Sequence, residues 1–380
     1  MNNIYYNIVK ITSISKIPNM FNPLSETVTT IVANGFFINN TGYILTCYNI
    51  VKHATSIFIN IYPEYNNNLE GKIISICPEK DIALLKINNF INKKKVLLFD
   101  QSELLKKGDV VSTIFYLNEF QNIKSIIIDH DDKIILDSMY PIEAYGSPVF
   151  NADHRVIGIN KINLNTNNLK SDFVDASIIP ISEFISILNE LFNNNIVYEP
   201  KIFVEFNKVD SNLLTFLGVK NITDHGYFIK KVYDFSPFKE AAVKSGDILL
   251  KINNYSINNG ICTSPNNEKI TIDKLLSQMN VNDNLKLKYI SVNSNSQNII
   301  KNVKIKPSSN SILKINNISF PFEGFKYLIL GGIIFMELRI DHLNNLDYLN
   351  LDSEKKINLI NYYKLINRAK SIVFVSHIFD

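Results

Sequence analysis

The chain has 380 residues, which is long enough for two or three domains with separate hydrophobic cores. The formal net charge is +3, so the overall charge indicates neither a nucleic acid nor an anionic membrane as a partner. The three cysteines, Cys47, Cys77 and Cys262, are odd in number and lack metal-ligand spacing, so we expect no disulfide framework, no metal site and no cofactor.

No segment has the pattern of a signal peptide or of a transmembrane helix. The first ten residues are short and lead straight into domain sequence. The longest apolar stretch, Tyr327–Met336, has about half the length that a membrane helix needs. We therefore predict a soluble protein without a membrane span, and the compartment stays open.

From Tyr5 to about Ile87, short apolar runs alternate with turn residues, which predicts strands of roughly four to eight residues. The candidate strands are Ile31–Ile38, Tyr43–Thr46, Ser56–Tyr62, Gly71–Cys77 and Ile82–Ile87. The sequence NNTG at Asn39–Gly42 is typical of a hairpin turn. This spacing favours a closed antiparallel barrel, which we assign to residues 1–98.

A second set of apolar runs predicts another barrel over residues 99–195. The candidate strands are Val110–Phe115, Ile123–Ile128, Lys133–Leu136, Ser147–Phe150, Val156–Ile162 and Phe173–Ile179. The apolar residues of Ile181–Phe192 then recur at helical spacing, and Pro180 before them suits a helix start. We expect a helix to follow the second barrel.

Three segments that carry these predicted strands also carry a family resemblance. They read GFFINNTGYILTCYNIVKHA (Gly35–Ala54), PEKDIALLKI (Pro78–Ile87) and AYGSPVFNADHRVIGIN (Ala144–Asn160). Together they resemble the HtrA/Deg family of trypsin-like serine proteases, whose catalytic histidine, aspartate and serine lie in corresponding runs. The resemblance implies a mainly β fold, with a chymotrypsin-like double β-barrel followed by an α+β PDZ domain.

The resemblance also implies a degenerate catalytic triad. The histidine position is Asn49, the aspartate position is Asp81 and the serine position is Tyr145. An amide cannot accept a proton near neutral pH, and a phenol, with a pKa of about 10, is too bulky to attack from the serine's position. Glu143 stands at an oxyanion-hole glycine, where a carboxylate opposes developing negative charge. We predict a protease homologue that no longer cleaves, in which Asp81 serves as a turn or capping carboxylate.

The alternative is an active serine endopeptidase with a rearranged site. Ser147 could act as a shifted nucleophile, although it precedes Pro148 where the family has its second glycine. Cys47 is a further candidate, but Asn49 offers it no general base. His53 cannot replace the lost histidine, because one helical turn separates it from Asn49 by on the order of 6 Å.

Residues 200–310 resemble the PDZ domain of the same family. The resemblance is carried by FLGV (Phe216–Val219), GYFIKKV (Gly226–Val232), SPFKEAA (Ser236–Ala242) and KSGDILLKI (Lys244–Ile252). A PDZ domain binds an extended C-terminal peptide by strand addition and holds its carboxylate with the backbone N–H groups of a loop. The resemblance implies that the carboxylate-binding loop consists of Phe216, Leu217, Gly218 and Val219. It also implies that the helical wall of the peptide groove is made by Ile272, Leu275 and Met279.

Residues 311–380 resemble a part of the plant-type branch of the family. Phe320–Leu338 is similar to the segment that joins a first PDZ domain to a second one, and Ser371–Asp380 is similar to the opening of that second domain. We therefore expect a linker followed by a partial second PDZ-like segment.

Three functions stay open at this point. The first is protein quality control by a non-catalytic protein that binds unfolded proteins or peptide C-termini. The second is proteolysis by the rearranged site, and the third is a non-catalytic subunit that assembles with an active paralogue. Family members form trimers through N-terminal aromatic residues, so Tyr5, Tyr6 and Phe21 are candidates for contacts in a homo-oligomer.

Overall fold

Strands make up most of the regular structure of the chain, as its many short β-type runs predict. The computed structural model describes residues 2–91, 95–100, 105–129, 134–162, 173–219, 226–258, 260–292, 299–348 and 353–379. The chain divides into a first unit of Met1–Val197, Asn317–Asn345 and Val373–Asp380, and a second unit of Tyr198–Asn316 and Leu346–Ile372. The predicted region 311–380 is therefore shared between the two units.

The first unit begins with the short helix α1 (Asn2–Tyr5) and a closed six-stranded antiparallel barrel. Its strands are β1 (Ile8–Pro18), β2 (Glu26–Phe37), β3 (Tyr43–Cys47), β4 (Ala54–Ile61), β5 (Glu64–Cys77) and β6 (Ile82–Ile87), in the order β1-β2-β3-β6-β5-β4. Helix α2 (Tyr48–Val51) follows β3 directly. Strand β1 is additional to the predicted strands, and its residues alternate between buried positions, which include Ile11, Ser13 and Ser15, and partly exposed ones.

A second closed barrel follows, with its strands in the order β10-β11-β12-β9-β8-β7. The strands are β7 (Val110–Tyr116), β8 (Phe120–Asp129), β9 (Ile134–Pro141), β10 (Pro148–Phe150), β11 (Val156–Ile162) and β12 (Phe173–Pro180). The predicted helix over 181–192 is two short helices, α3 (Ile181–Phe184) and α4 (Leu188–Asn193), joined by a turn. Phe184, Ile187 and Leu191 have no exposed surface, whereas Phe192 is 38% exposed.

Asn34 on β2 links the two barrels through its side chain. Its Nδ2 donates to the carbonyl oxygens of Tyr116 at 2.9 Å and Glu143 at 2.8 Å, and its Oδ1 accepts from the Tyr116 N–H at 2.9 Å. Its backbone N–H donates to the Tyr145 carbonyl at 2.9 Å. Asn34 is fully buried, so all of these bonds are shielded from water.

The second unit contains an α+β, PDZ-like arrangement. Its strands are β13 (Val204–Lys208), β14 (Tyr227–Val232), β15 (Ile248–Ile252), β16 (Tyr255–Asn258), β17 (Ile261–Thr263), β18 (Lys269–Ile270), β19 (Leu285–Ser291) and β20 (Ile299–Ile305). Three short helices interrupt them: α5 (Ser211–Phe216), α6 (Pro237–Glu240) and α7 (Ile272–Ser277). Strands β13 to β18 are hydrogen-bonded in chain order, and β19 joins β15 to β20.

The C-terminal part of the chain adds a small three-stranded sheet. It consists of β21 (Tyr327–Leu330), β22 (Ile333–Glu337) and β23 (Val373–Ile378), with α8 (Ile340–Leu343) and α9 (Ser353–Ile360) between the last two strands. No helix in the part of the chain that the structure describes is long and apolar enough to cross a membrane.

The segment Asn317–Asn345 packs against the first barrel through aromatic and charged side chains. The Phe320 ring lies 4.5 Å from the His53 ring, and Lys52 pairs with Asp341 at 3.4 Å. The fully buried His342 contacts the rings of Phe21, Phe325 and Phe374. This segment is thus part of the core of the first unit.

The burial of His342 predicts a loss of stability in acid. Burial lowers its pKa to about 4 from 6.5, the nearby Arg339 adds to this effect, and Asp341 opposes it. Because the unfolded chain binds this proton at a higher pH, the stability due to neutral His342 is complete above pH 6.5 and declines as the pH falls toward 4, by about 3 kcal/mol.

Urea unfolding at a series of pH values checks this prediction. We expect His342→Gln to flatten the dependence of the unfolding free energy on pH between 6.5 and 4. An unchanged slope in the variant would show that His342 does not remain neutral in the folded protein.

Candidate functional site

Asp81 lies at a tight turn that buries its carboxylate between the barrels. It ends the 3-10 turn Pro78–Lys80 with a φ of 57°, a left-handed conformation that aspartate tolerates better than most residues. The residue is 2% exposed, and burial raises its pKa. Its carboxylate accepts from the Asn49 N–H at 2.8 Å and from the Tyr145 hydroxyl.

Asn49, at the histidine position, holds Asp81 without replacing the chemistry of an imidazole. It lies in the single turn of α2, and its backbone N–H supplies one of the bonds to the carboxylate. The side-chain Nδ2 lies 3.4 Å from the Tyr145 hydroxyl oxygen. Because an amide is not basic, this contact can orient the phenol but cannot take its proton.

Tyr145, at the serine position, fills the space between Asn49 and Asp81. It is 3% exposed, and its hydroxyl donates directly to the carboxylate of Asp81. Burial, with Cys47 and Asp81 as neighbours, raises the phenol pKa well above its usual value. The phenol therefore keeps its proton at neutral pH and acts as a donor, not as a nucleophile.

Lys161 completes the site, although the sequence analysis did not identify it. Its ammonium nitrogen lies 3.8 Å from the Asp81 carboxylate and opposes the rise in the carboxyl pKa. Lys161 is on β11, one residue beyond the AYGSPVFNADHRVIGIN segment. Its position directly after that segment was the available signal, but nothing in the local pattern indicates which way the side chain turns.

Three N–H groups of the loop that aligns with an oxyanion hole, those of Tyr145, Gly146 and Ser147, are bonded to carbonyl groups of the chain. The N–H groups of Tyr145 and Ser147 donate to the carbonyls of Ile142 and Ala144, at 3.1 and 3.2 Å. The Gly146 N–H donates to the Asn160 carbonyl at 2.9 Å. Glu143 belongs to this loop, within the 3-10 turn Ile142–Ala144, and its carbonyl is bonded to Asn34. These three N–H groups cannot bind a developing oxyanion in this conformation.

Gly146 explains why the loop keeps this shape. Its φ is +80°, and a Cβ at this position would lie 2.3 Å from the Asn34 carbonyl oxygen and 2.4 Å from the Thr46 hydroxyl. Both the backbone conformation and the lack of space therefore require glycine here.

Neither alternative nucleophile is accessible. Ser147 has no exposed surface. Cys47 is also fully buried, and burial together with Asp81 raises its pKa well above the usual value, so the reactive thiolate is not formed. Among the described residues, no cluster of three or more His, Cys, Asp or Glu side chains is arranged to hold a metal ion.

The segment FLGV, predicted as a carboxylate-binding loop, is the end of helix α5. The Asp210 side chain caps the start of this helix, and Phe216 is its last residue, with 86% of its surface exposed. Gly218 has a φ of +67°, and the Val219 N–H donates back to the Leu214 carbonyl at 2.9 Å. Such a bond across a left-handed glycine is typical of a helix C-terminus, which accounts for this glycine.

The structure assigns the two halves of the predicted groove to different apolar clusters. Leu217 and Val219 pack with Ile248. Ile272 and Leu275 on α7 are buried with Ile202, and Met279 packs against the same cluster. Strand β13 is one of several strands that contribute to the α7 cluster, through the partly buried Val204 and Phe206.

Strand β13 is the edge of the sheet, with β14 as its single partner strand among the described residues. Phe203, just before it, has a φ of 51°. This conformation is rare for a bulky side chain. A peptide strand could add at this open edge of the sheet.

Residues 33–159 match the family model of the trypsin-like peptidase domain. The chain is similar to a protein of Rickettsia conorii called probable periplasmic serine endoprotease DegP-like, with 24% identity over 316 residues, 76% of this chain and 60% of that protein. A protein of the same name from Marinomonas sp. is 27% identical over 240 residues, 60% of this chain and 49% of that protein. The chain thus spans between about half and 60% of the length of these curated relatives.

Solved structures show the same fold. The HtrA-type protease AlgW with a decapeptide has a TM-score of 0.58 and 16% identity, covering 81% of this chain and 97% of that chain. The serine endoprotease from Yersinia pestis has a TM-score of 0.52 and 17% identity, covering 80% and 95%. With the double barrel and the matching domain model, these likenesses show that the chain is similar to the HtrA/Deg-type trypsin-like serine proteases in sequence and in fold.

Proposed function

We propose that this HtrA/Deg homologue does not cleave proteins and acts by binding peptide C-termini or unfolded chains through its PDZ-like region. One observation carries the first half of the proposal: the Tyr145 phenol occupies the catalytic position and donates to the Asp81 carboxylate. Protein quality control is the setting that this function would suit.

Three features of the site support the proposal that the chain does not cleave proteins. A working site needs a nucleophile, a base that takes its proton and N–H groups for the oxyanion. Here the nucleophile position holds a protonated phenol, the base position holds an amide, and the loop N–H groups are bonded to carbonyls. Loss of a complete triad costs on the order of a million-fold in turnover, about 8 kcal/mol.

Proteolysis of an unfolded casein tests the proposed loss of catalysis. We expect the wild-type protein to leave it intact during overnight incubation, as judged on a gel, and to match a Tyr145→Ala/Asp81→Ala variant, which controls for contaminating protease. We also expect Asn49→His/Tyr145→Ser to stay inactive, because the oxyanion N–H groups remain engaged. Cleavage by the wild type but not by the control would establish the rearranged protease instead.

The peptide-binding half of the proposal rests on the edge strand β13 and helix α7. An added peptide strand would pair with the backbone of β13 and contact Val204 and Phe206, with Ile272, Leu275 and Met279 as the helical side. Ile272 and Leu275 are only 7% and 4% exposed, so in this proposal they support the groove from the core and offer the peptide little surface. We move the proposed carboxylate-binding loop from Phe216–Val219 to the residues before β13, where Phe203 has its left-handed conformation. The solved AlgW structure with a decapeptide is consistent with this function.

Two phenylalanine variants test whether the peptide binds beside β13 or at Phe216–Val219. We expect a fluorescent oligovaline peptide with a free C-terminal carboxylate to bind the wild type, and its amidated twin to bind more weakly. Phe206→Ala should weaken binding on the order of tenfold, whereas Phe216→Ala, on the exposed end of α5, should leave it unchanged. Fluorescence anisotropy measures both. If Phe216→Ala weakens binding and Phe206→Ala does not, the binding loop is Phe216–Val219.

The structure also offers an observation in favour of assembly, the second candidate function. All four residues of β21, Tyr327–Leu330, are exposed apolar side chains, and Val373, Val375 and Ile378 on β23 are exposed as well. Exposed apolar edge strands are typical of interaction surfaces. The aromatic residues suggested for a trimer contact are engaged elsewhere: Tyr5 contacts Phe120, Tyr6 contacts Tyr62, and Phe21 is 6% exposed.

Light scattering tests this second function. If the β21 sheet joins subunits, the protein should be larger than one chain, and Leu328→Lys should shift it toward the monomer, because a buried unpaired charge disfavours the contact. A monomeric wild type that stays monomeric with the paralogue present would leave peptide binding alone as the proposed function.

A further inference from the structure

One face of the PDZ-like sheet is built from lysines on neighbouring strands. The cross-strand pairs are Lys251 with Lys288, between β15 and β19, and Lys286 with Lys304, between β19 and β20. Ser256 and Asn302 continue the first row on the strands to either side. We call Lys251, Lys286, Lys288 and Lys304 the lysine face.

Alternation along the strands settles which side of the sheet these lysines occupy. Leu285, Leu287 and Tyr289 on β19 are buried in the cluster that contains helix α7. Lys286 and Lys288 lie between them and therefore project to the opposite side. On that side, helix α5 packs against the part of the sheet that contains Ile248 and Ile290. The four lysines are exposed or half-buried.

The lysine face carries positive charge without compensation. Strands β15, β16, β19 and β20 contain no aspartate or glutamate. Within the described residues, no carboxylate forms an ion pair with any of the four lysines. Residues 198–316 have sixteen lysines, no arginine and ten carboxylates, a net charge of +6, whereas the remaining residues sum to −3. The overall charge of +3 therefore conceals a strongly basic domain.

Like charges at directly opposed positions of a sheet destabilise the pairing of its strands. Two such lysine pairs on three adjacent strands thus favour an anionic partner that neutralises them. No aromatic side chain lies in the two lysine rows, so the face lacks the stacking platform on which single-stranded nucleic acids bind. At its edge, Ile300 lies on the same side of β20 as Lys304, is 56% exposed and can insert among lipid headgroups.

We propose that the lysine face binds the surface of a membrane that contains anionic phospholipid. The planar arrangement lets four ammonium groups approach the headgroup layer together, and Ile300 adds apolar contact beside them. Each lysine near an anionic membrane contributes about a fivefold gain in partitioning. Such binding needs no transmembrane helix and would hold the PDZ-like domain at a membrane, independently of whether its groove binds peptides.

Sedimentation with vesicles tests the proposal on the full chain. One set of vesicles is pure phosphatidylcholine and the other is a two-to-one mixture with phosphatidylserine. We expect the wild type to sediment with the mixed vesicles alone and to be released by added salt. Lys286→Gln/Lys288→Gln should lower the affinity about 25-fold. The control Lys208→Gln/Lys269→Gln removes the same charge from exposed positions elsewhere in the domain and should retain most of the binding.

Three results would overturn the proposal. The wild type could fail to sediment with the mixed vesicles, or the two double variants could lose binding equally. In the third case, a labelled single-stranded oligonucleotide binds while the vesicles do not, which would make the partner a nucleic acid. Thermal unfolding of both variants verifies that they remain folded, and Lys286→Gln/Lys288→Gln should be at least as stable as the wild type because it removes repulsion.

Discussion

The buried carboxylate of Asp81 is the constraint around which the rest of the degenerate site is arranged. A carboxylate removed from water is unfavourable unless hydrogen bonds or an opposite charge compensate it. In a functional triad, the histidine supplies part of that compensation. Here the Asn49 N–H, the Tyr145 hydroxyl and the Lys161 ammonium supply it instead. A charge-assisted hydrogen bond contributes about 2 kcal/mol, so the tyrosine stabilises the same acid that a protease uses in catalysis.

This compensation also joins the barrels, because Asp81 and Asn49 belong to the first barrel whereas Tyr145 and Lys161 belong to the second. Asn34 makes a parallel connection with three side-chain hydrogen bonds across the same boundary. A protease must keep part of this boundary open for substrate. In this chain Tyr145 fills it, and the three positions that align with a catalytic triad, Asn49, Asp81 and Tyr145, form a polar contact within the fold.

The sequence predicted the barrels better than the connections between them. Strand alternation and turns are local signals, and they located strands such as β3 and β6; β1 was missed although it alternates. The family motifs indicated that Asn49, Asp81 and Tyr145 would meet, and they do. The contacts of Asn34 and Lys161 could not be predicted, since each depends on one side chain reaching a distant segment. The FLGV segment was predicted to be a binding loop, and the structure places it at the end of helix α5. A left-handed glycine suits a binding loop and a helix end equally well, so the sequence of this segment alone could not distinguish them.

The net charge of +3 gave no indication of the lysine face for a related reason: a sum over the whole chain contains no information about where the charges lie. The alternation of lysine with leucine in LKLKYIS is the pattern of an ordinary half-buried strand, and each lysine taken alone would be a solvated side chain. The register changes this interpretation, because it sets Lys288 opposite Lys251 and Lys286 opposite Lys304. A solvent-facing sheet selected for stability alone would place an acid opposite at least one of these lysines. The repulsion that remains is therefore best explained by a surface that meets negative charge outside the chain.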